Sequence, residues 1–322
     1  MSPSLAIDAR GLVKRFGDKV AVAGVDVAVP AGTVTSILGP NGAGKTTTVR
    51  MLTTLSAPDE GTARVAGFDV RTHPNDVRRR IGLAAQDATV DPLLTGRENL
   101  VMVGQLQQLS RAHAKARADA LLDQFNLTDA ADKVVGDYSG GMRRRLDLSS
   151  TLIADPEVLF LDEPTTGLDP RARAELWDVL DTLTRTGTTI LLTTQYLEEA
   201  DRLADDILVV DHGRVIAQGD ARGLKRQVGG DNIGVTVTDP DRLDEAATIL
   251  ARVTGVEPVL DRPVRTAVAP TTEGVAGLGK VAAALADHDL GVEDLSLRQP
   301  TLDEVFLTLT GKPLDDETEV SR

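Results

Sequence analysis

Between Leu38 and Val49 runs Gly39-Pro40-Asn41-Gly42-Ala43-Gly44-Lys45-Thr46-Thr47. A glycine, four residues and then Gly-Lys-Thr is the Walker A or P-loop spacing of a phosphate-holding turn. Glycines let successive backbone N–H groups converge on phosphate oxygens, and a helix opening near Gly44 adds the positive end of its dipole. Lys45 supplies a full charge for β- and γ-phosphates, and the Thr46 hydroxyl can ligate Mg²⁺. The chemistry implied is binding of a nucleoside triphosphate.

Two carboxylates extend that chemistry. The apolar run Val158-Leu159-Phe160-Leu161 ends in Asp162-Glu163. Asp162 can hold Mg²⁺ through water and complete the metal site begun by Thr46. Glu163, one residue on, points differently and can take a proton from an attacking water. A third polar residue, Gln195, follows Ile190-Leu191-Leu192 just past a strand end, where α/β folds place their chemistry. His73, His113, His212 and His288 show no ligand spacing, so no metal is expected beyond nucleotide-bound Mg²⁺. Arg143-Arg144-Arg145 reads as a solvated, helix-capping charge run.

Strands and helices must bring these groups together. Strand patterns cover Ala6 to Phe16, Val20 to Val29, Val34 to Leu38, Val158 to Leu161, Thr188 to Thr193 and Ile207 to Val210. Helical patterns cover Glu98 to Leu109, Ala112 to Phe125, Gly141 to Ile153 and Arg171 to Leu183. Alternation of the two argues a mostly parallel sheet covered on both faces. Asp211-His212-Gly213-Arg214 reads as a hairpin turn. After about residue 220 the order becomes βαββαβ plus a helix, a small ferredoxin-like unit. Its last helix carries Leu302, Val305, Phe306 and Leu309, a stripe that must be buried.

Bulk composition narrows the class. The chain has 322 residues, comfortable for two domains, with 41% hydrophobic, 26% charged and 2% aromatic residues. A net charge of −14 stands against a broad nucleic-acid footprint, so an anionic ligand needs a local positive site. Cysteine is absent, which excludes disulfides and thiolate metal sites and fits a reducing compartment. No run approaches the ~18–20 apolar residues needed to cross a bilayer, and the first four residues are not a signal peptide.

Tyr138-Ser139-Gly140-Gly141-Met142, at a helix start, resembles the signature of ABC-type ATPases, usually Leu-Ser-Gly-Gly-Gln. Gln86 matches that family's Q-loop, Asp162-Glu163 its Walker B pair and Gly167-Leu168-Asp169 its D-loop. Phe16 falls where the family stacks an aromatic on adenine. With the phosphate loop these features follow the family's order across about residues 5–220. More narrowly, TTQYLEEADRLAD and PTLDEVFLTLTG look like ATPase subunits of daunorubicin-resistance exporters, whose membrane part is a separate chain.

The resemblance implies an α/β fold of the ABC ATPase type over residues 1–220. That fold has a mixed core sheet, an antiparallel β subdomain and an inserted helical subdomain at about 87–153. An α+β ferredoxin-like domain at 221–311, regulatory or dimer-stabilising, and a disordered tail at 312–322 complete the expectation. It implies head-to-tail homodimers, each ATP lying between one copy's Gly39–Thr47 loop and the other's Ser139, Gly140 and Gly141, with Asp169 in the same seam. Gln86 would touch the metal or the attacking water. Met142 cannot donate the hydrogen bond that the usual glutamine can.

Gln195 occupies the position of the family's switch histidine. Unlike histidine it cannot change charge, but its NH₂ can donate to a γ-phosphate, leaving proton removal to Glu163. The expected function is ATP hydrolysis that drives a separate transmembrane permease for drug efflux. The expected location is cytoplasmic, on the inner face of the membrane through that permease. Two rivals are a non-transport ABC ATPase acting on nucleic acid or ribosomes, and a regulatory module that binds ATP without turnover. The charge and the single ATPase unit oppose the first; intact Lys45, Asp162 and Glu163 oppose the second.

Overall fold

The computed structural model describes residues 4–85, 89–228 and 231–310. Gln86 and the segment 312–322 lie outside the described residues. Two compact units divide at Ala221 and Arg222.

The first unit begins with β1 (Leu5–Phe16), β2 (Lys19–Pro30) and β3 (Val34–Leu38), then α1 (Lys45–Leu52). Four short elements follow: β4 (Glu60–Val65), β5 (Phe68–Asp69), α2 (Pro74–Arg78) and β6 (Ile81–Ala84). Helices α3 (Gly96–Leu106), α4 (Arg111–Gln124) and α5 (Gly140–Thr151) come next. The unit finishes with β7 (Val158–Asp162), α6 (Pro170–Arg185), β8 (Thr189–Thr194), α7 (Leu197–Leu203), β9 (Asp206–Asp211) and β10 (Arg214–Gly219).

The core sheet has the order β10-β9-β3-β8-β7-β6. Its neighbours run parallel except β10, an antiparallel edge that turns back on β9. A second, antiparallel sheet has the order β2-β1-β4-β5. Alternation along each core strand assigns side chains to two faces. Val158 and Phe160 of β7 join Leu191, Ile37 and Leu208 in a core shared with α1 and the antiparallel sheet. Leu159 and Leu161 join Ile190 and Leu192 in the core built with α3 to α6. Strands buried on both faces read as unbroken apolar runs, which is why β7 and β8 stand out in the sequence.

Helix ends follow local chemistry. Thr95 and Glu98 form a reciprocal capping box at the start of α3, and Ser110 caps α4. Residues 89–95 are not helical, so within the expected helical stretch the first described helix begins only at Gly96. Strands β4, β5 and β6 are too short, and too mixed in polarity, to have given a clear pattern.

In the second unit α8 (Ala221–Val228) leads to β11 (Asp231–Val237), α9 (Leu243–Thr254), β12 (Val259–Asp261), β13 (Thr266–Thr271), α10 (Val275–Asp287), β14 (Val292–Arg298) and α11 (Leu302–Thr310). The antiparallel sheet has the order β12-β13-β11-β14. Ile233, Val235, Val237, Ala267 and Ala269 line one face against Leu243, Ile249 and Leu250 of α9 and Val281 and Leu285 of α10. Leu302, Val305 and Phe306 are buried, but Leu309, in the last turn of α11, is 38% exposed, contrary to the expected four-residue stripe. Among the described residues no helix is long and apolar enough to span a membrane.

Candidate active site

The phosphate loop is held where β3 ends. A Cβ at Gly39 would lie 2.3 Å from the Val210 carbonyl oxygen, so no other residue fits there without moving β9. Gly44, at φ +105°, is left-handed, and its Cβ would fall 2.6 Å from the Ala21 oxygen. The Gly39 amide donates to Thr194 O at the end of β8, and the Ala43 oxygen accepts from Gly213 N at 3.0 Å. Two core strands and the β9–β10 turn thus fix the loop from both sides before α1 begins.

A cleft of about 340 Å³ opens over this loop. Phe16, Lys19, Ala21, Asn41, Gly42, Gly44, Lys45, Thr46, Thr47 and Glu163 line it. Lys45, only 4% exposed, donates to Gly39 O at 2.7 Å and Pro40 O at 3.2 Å, and pairs with Glu163 Oε1 at 3.2 Å. Glu163 has φ +49°, a left-handed backbone that costs energy for a side chain with a Cβ and persists only where the surroundings hold it. Its amide donates to the Thr193 carbonyl and hydroxyl oxygens at 3.1 Å each, which holds it there. Phe16 stands at the mouth, 57% exposed.

Asp162 sits one layer behind. Its Oδ1 accepts from the Thr46 hydroxyl at 3.1 Å and the Thr193 hydroxyl at 2.5 Å. A hydroxyl beside a carboxylate is a donor pair whose oxygen chemistry would fit Mg²⁺. That ion keeps waters and takes further ligands from bound phosphates. Gln195 follows β8 directly and is 9% exposed.

The signature residues and Asp169 do not reach the cleft of the same chain. Ser139 caps α5, its Oγ accepting from Met142 N at 3.2 Å, and Asp169 caps α6, accepting from Ala172 N at 2.8 Å. The two helix starts adjoin: a Cβ at Gly141 would lie 2.9 Å from Ala172 Cβ. Exposed Ser139 and Gly140 therefore flank Asp169 on one surface, with the positive end of α5 facing outward.

Comparison with known proteins decides the family. The sequence profile described as ABC transporter matches residues 22–166. The daunorubicin resistance ATP-binding protein DrrA2 of Streptomyces coeruleorubidus is 54% identical over 306 residues, 95% of each chain. The chain belongs to the ATP-binding subunits of ABC transporters. The Nod factor export ATP-binding protein I of Burkholderia lata is 40% identical over 322 residues, covering 98% of this chain and 100% of its own. Among solved structures, cbiO1 from Clostridium perfringens, described as part of the ABC transporter complex cbiONQ, superposes with a TM-score of 0.64 at 26% identity. The likeness covers 70% of this chain and 94% of that one.

As an ABC ATPase the chain binds ATP and hydrolyses it, and the cleft collects the side chains that this chemistry needs. Lys19 and Ala21 escaped the sequence reading because a lysine and an alanine on a hairpin carry no signal until the β1–β2 pairing sets Lys19 across from Phe16. Thr193 had a signal, a hydroxyl directly after the apolar run Ile190-Leu191-Leu192, on the strand beside the one bearing Asp162. The arginine run is corrected: Arg144 is buried, not solvated, while Arg143 donates to Gly136 O and Tyr138 O and Arg145 to Phe125 O. Behind Gln195, Glu199 of α7 is fully buried and accepts from Trp177 Nε1 at 3.1 Å. Burial pushes its carboxyl above the usual range, although the Thr194 and Thr165 hydroxyls and the Arg173 guanidinium favour its charged form.

Proposed function

We propose that two copies of this chain close head to tail around two molecules of Mg-ATP and thereby drive a separate membrane permease that expels a drug or antibiotic. The observation that carries this reading is the full-length similarity to resistance ATPases, at 54% identity against 40% for the Nod factor exporter. In the closed pair the outward α5 terminus and Ser139 of one copy would cover the γ-phosphate held by Lys45 of the other. Thr46 and Asp162 would hold Mg²⁺, which neutralises charge developing on the phosphates. Phe16 offers its exposed ring to the adenine. Attachment to the permease places the subunit on the cytoplasmic face of the membrane.

Inverted vesicles carrying this chain together with the membrane permease it pairs with should accumulate daunorubicin when given Mg-ATP. Vesicles that hydrolyse ATP without drug uptake would move the cargo to another class while leaving the ATPase intact.

Gln195 stands beside this chemistry as a neutral γ-phosphate sensor. It is buried, it directly follows β8, and Thr194 just before it accepts from the Gly39 amide through its carbonyl. Losing one charge-stabilising donor slows such reactions by about a hundredfold, and Gln195→Ala should lower the ATPase rate by that order. Near-normal turnover would leave the amide only a strand-capping part.

A further inference from the structure

Helix α5 holds a feature that phosphate binding does not use. The Arg144 guanidinium is buried and spends its donors on main-chain oxygens: Nε on Pro164 O at 2.8 Å, Nη1 on Ala85 O at 2.7 Å, and Nη2 on Asp162 O and Glu163 O at 3.4 Å each. Its ion-pair partner is Asp147, a turn further along α5, with Nη1 to Oδ2 at 3.4 Å, and the Glu199 and Asp162 carboxylates also act on it electrostatically. Asp147 is 1% exposed, and its Oδ1 accepts from both the amide and the hydroxyl of Thr89 at 2.8 Å.

These contacts reach two places. Ala85 and Thr89 are the residues on either side of 86–88 in sequence, and the pair bonds to both of them. The carbonyls of residues 162–164 belong to the turn that sets Asp162 and Glu163. A planar fork with five donors can satisfy several divergent carbonyls at once, which a lysine ammonium or a neutral amide cannot. Burying a guanidinium is costly, and here burial pulls its pKa down. An apolar residue would have filled the space more cheaply, so the contacts made, and not the charge, explain an arginine at this point.

We infer that Arg144 and Asp147 form a positioning pair that joins the signature helix, the two flanks of the Gln86 segment and the Asp162–Glu163 turn into one mechanical unit. This rests on the dimeric reading above, because the outer end of that unit is Ser139, the residue proposed to meet the partner's nucleotide. Seating ATP against α5 of one copy would then register directly on the Asp162–Glu163 turn belonging to that copy.

The test uses the full-length chain, with kcat, KM and equilibrium ATP affinity measured alongside thermal unfolding. Arg144→Gln should lower kcat by about 10- to 100-fold while ATP affinity changes less than threefold, because the phosphate loop is untouched. Arg144→Lys should recover only a small part of the rate, since one ammonium cannot reach three sites. Thr89→Val removes a single hydroxyl and should fold without difficulty. Its kcat should fall about three- to tenfold with KM unchanged, and combining it with Arg144→Gln should cost less than the product of the two separate losses.

Full kcat in Arg144→Gln, losses that simply multiply, or a fall in ATP affinity matching the fall in rate would each overturn the inference. Should wild-type chain neither bind ATP nor pair in its presence, the failure would belong to the functional reading and not to the clamp.

Discussion

Glu163→Gln should stop steady-state ATP turnover while ATP-bound pairs of the protein persist. Glu163 is the one acidic side chain among the described residues that line the cleft, and Asp162 is occupied by the Thr46 and Thr193 hydroxyls. We therefore propose Glu163 as the base that takes the proton from water, and removing a general base costs about 10²–10⁴ in rate. Glutamine keeps the size and the backbone of the turn but cannot take the proton. Lys45 meanwhile loses its carboxylate partner at 3.2 Å, which leaves it freer for phosphate, so affinity for ATP should hold or rise. Phosphate release and light scattering with Mg-ATP measure the two halves. Turnover within threefold of wild type would place the base elsewhere.

Lys45→Met should act on binding and on folding together. The ammonium carries the charge for the phosphates, and each charge-assisted hydrogen bond is worth about 1.5–3 kcal/mol, so ATP affinity should fall about a hundredfold or more. The same change takes the lysine away from the Glu163 carboxylate, whose side chain is 7% exposed and which keeps the Thr166 hydroxyl at 3.5 Å. Breaking a buried pair from one side costs about 3–5 kcal/mol, which should appear as a markedly lower melting temperature. Lys45→Met combined with Glu163→Gln should recover most of that stability and none of the binding. A double variant as unstable as Lys45→Met alone would show that the lysine stabilises through Gly39 O and Pro40 O, not through the pair.

Much of this site could be read from one-dimensional spacing because its chemistry is carried by contiguous residues. A phosphate loop needs glycines, lysine and threonine in a row, and Asp162 and Glu163 are adjacent at the end of an apolar strand. The βαββαβ order of the second unit was legible too, since its helices are amphipathic and its turns polar. What escaped depends on strand pairing. Lys19 enters the cleft only because β1 and β2 fold back on each other, and Thr193 meets Asp162 only through the β7–β8 register.

Arg144 shows the limit most clearly. Three consecutive arginines look alike as text, yet the helical period turns one of them inward onto the carbonyls of another segment while its neighbours stay near the surface. Polar residues blur the edges of strands and helices. Gly234 and Asn232 lie inside β11, and α11 begins at Leu302 after Thr301 and Glu304 form a reciprocal cap.

The left-handed backbone of Glu163 has an evolutionary corollary. Glycine and asparagine rest in that conformation with little penalty, whereas other residues give up about 1–2 kcal/mol there. A gene copy released from its transport duty would gain no robustness by exchanging this glutamate alone, because the buried Lys45 would lose its carboxylate at a cost of about 3–5 kcal/mol. Degenerate paralogues of the lineage should therefore have changed residues 45 and 163 together, the first to a neutral side chain and the second to glycine or asparagine.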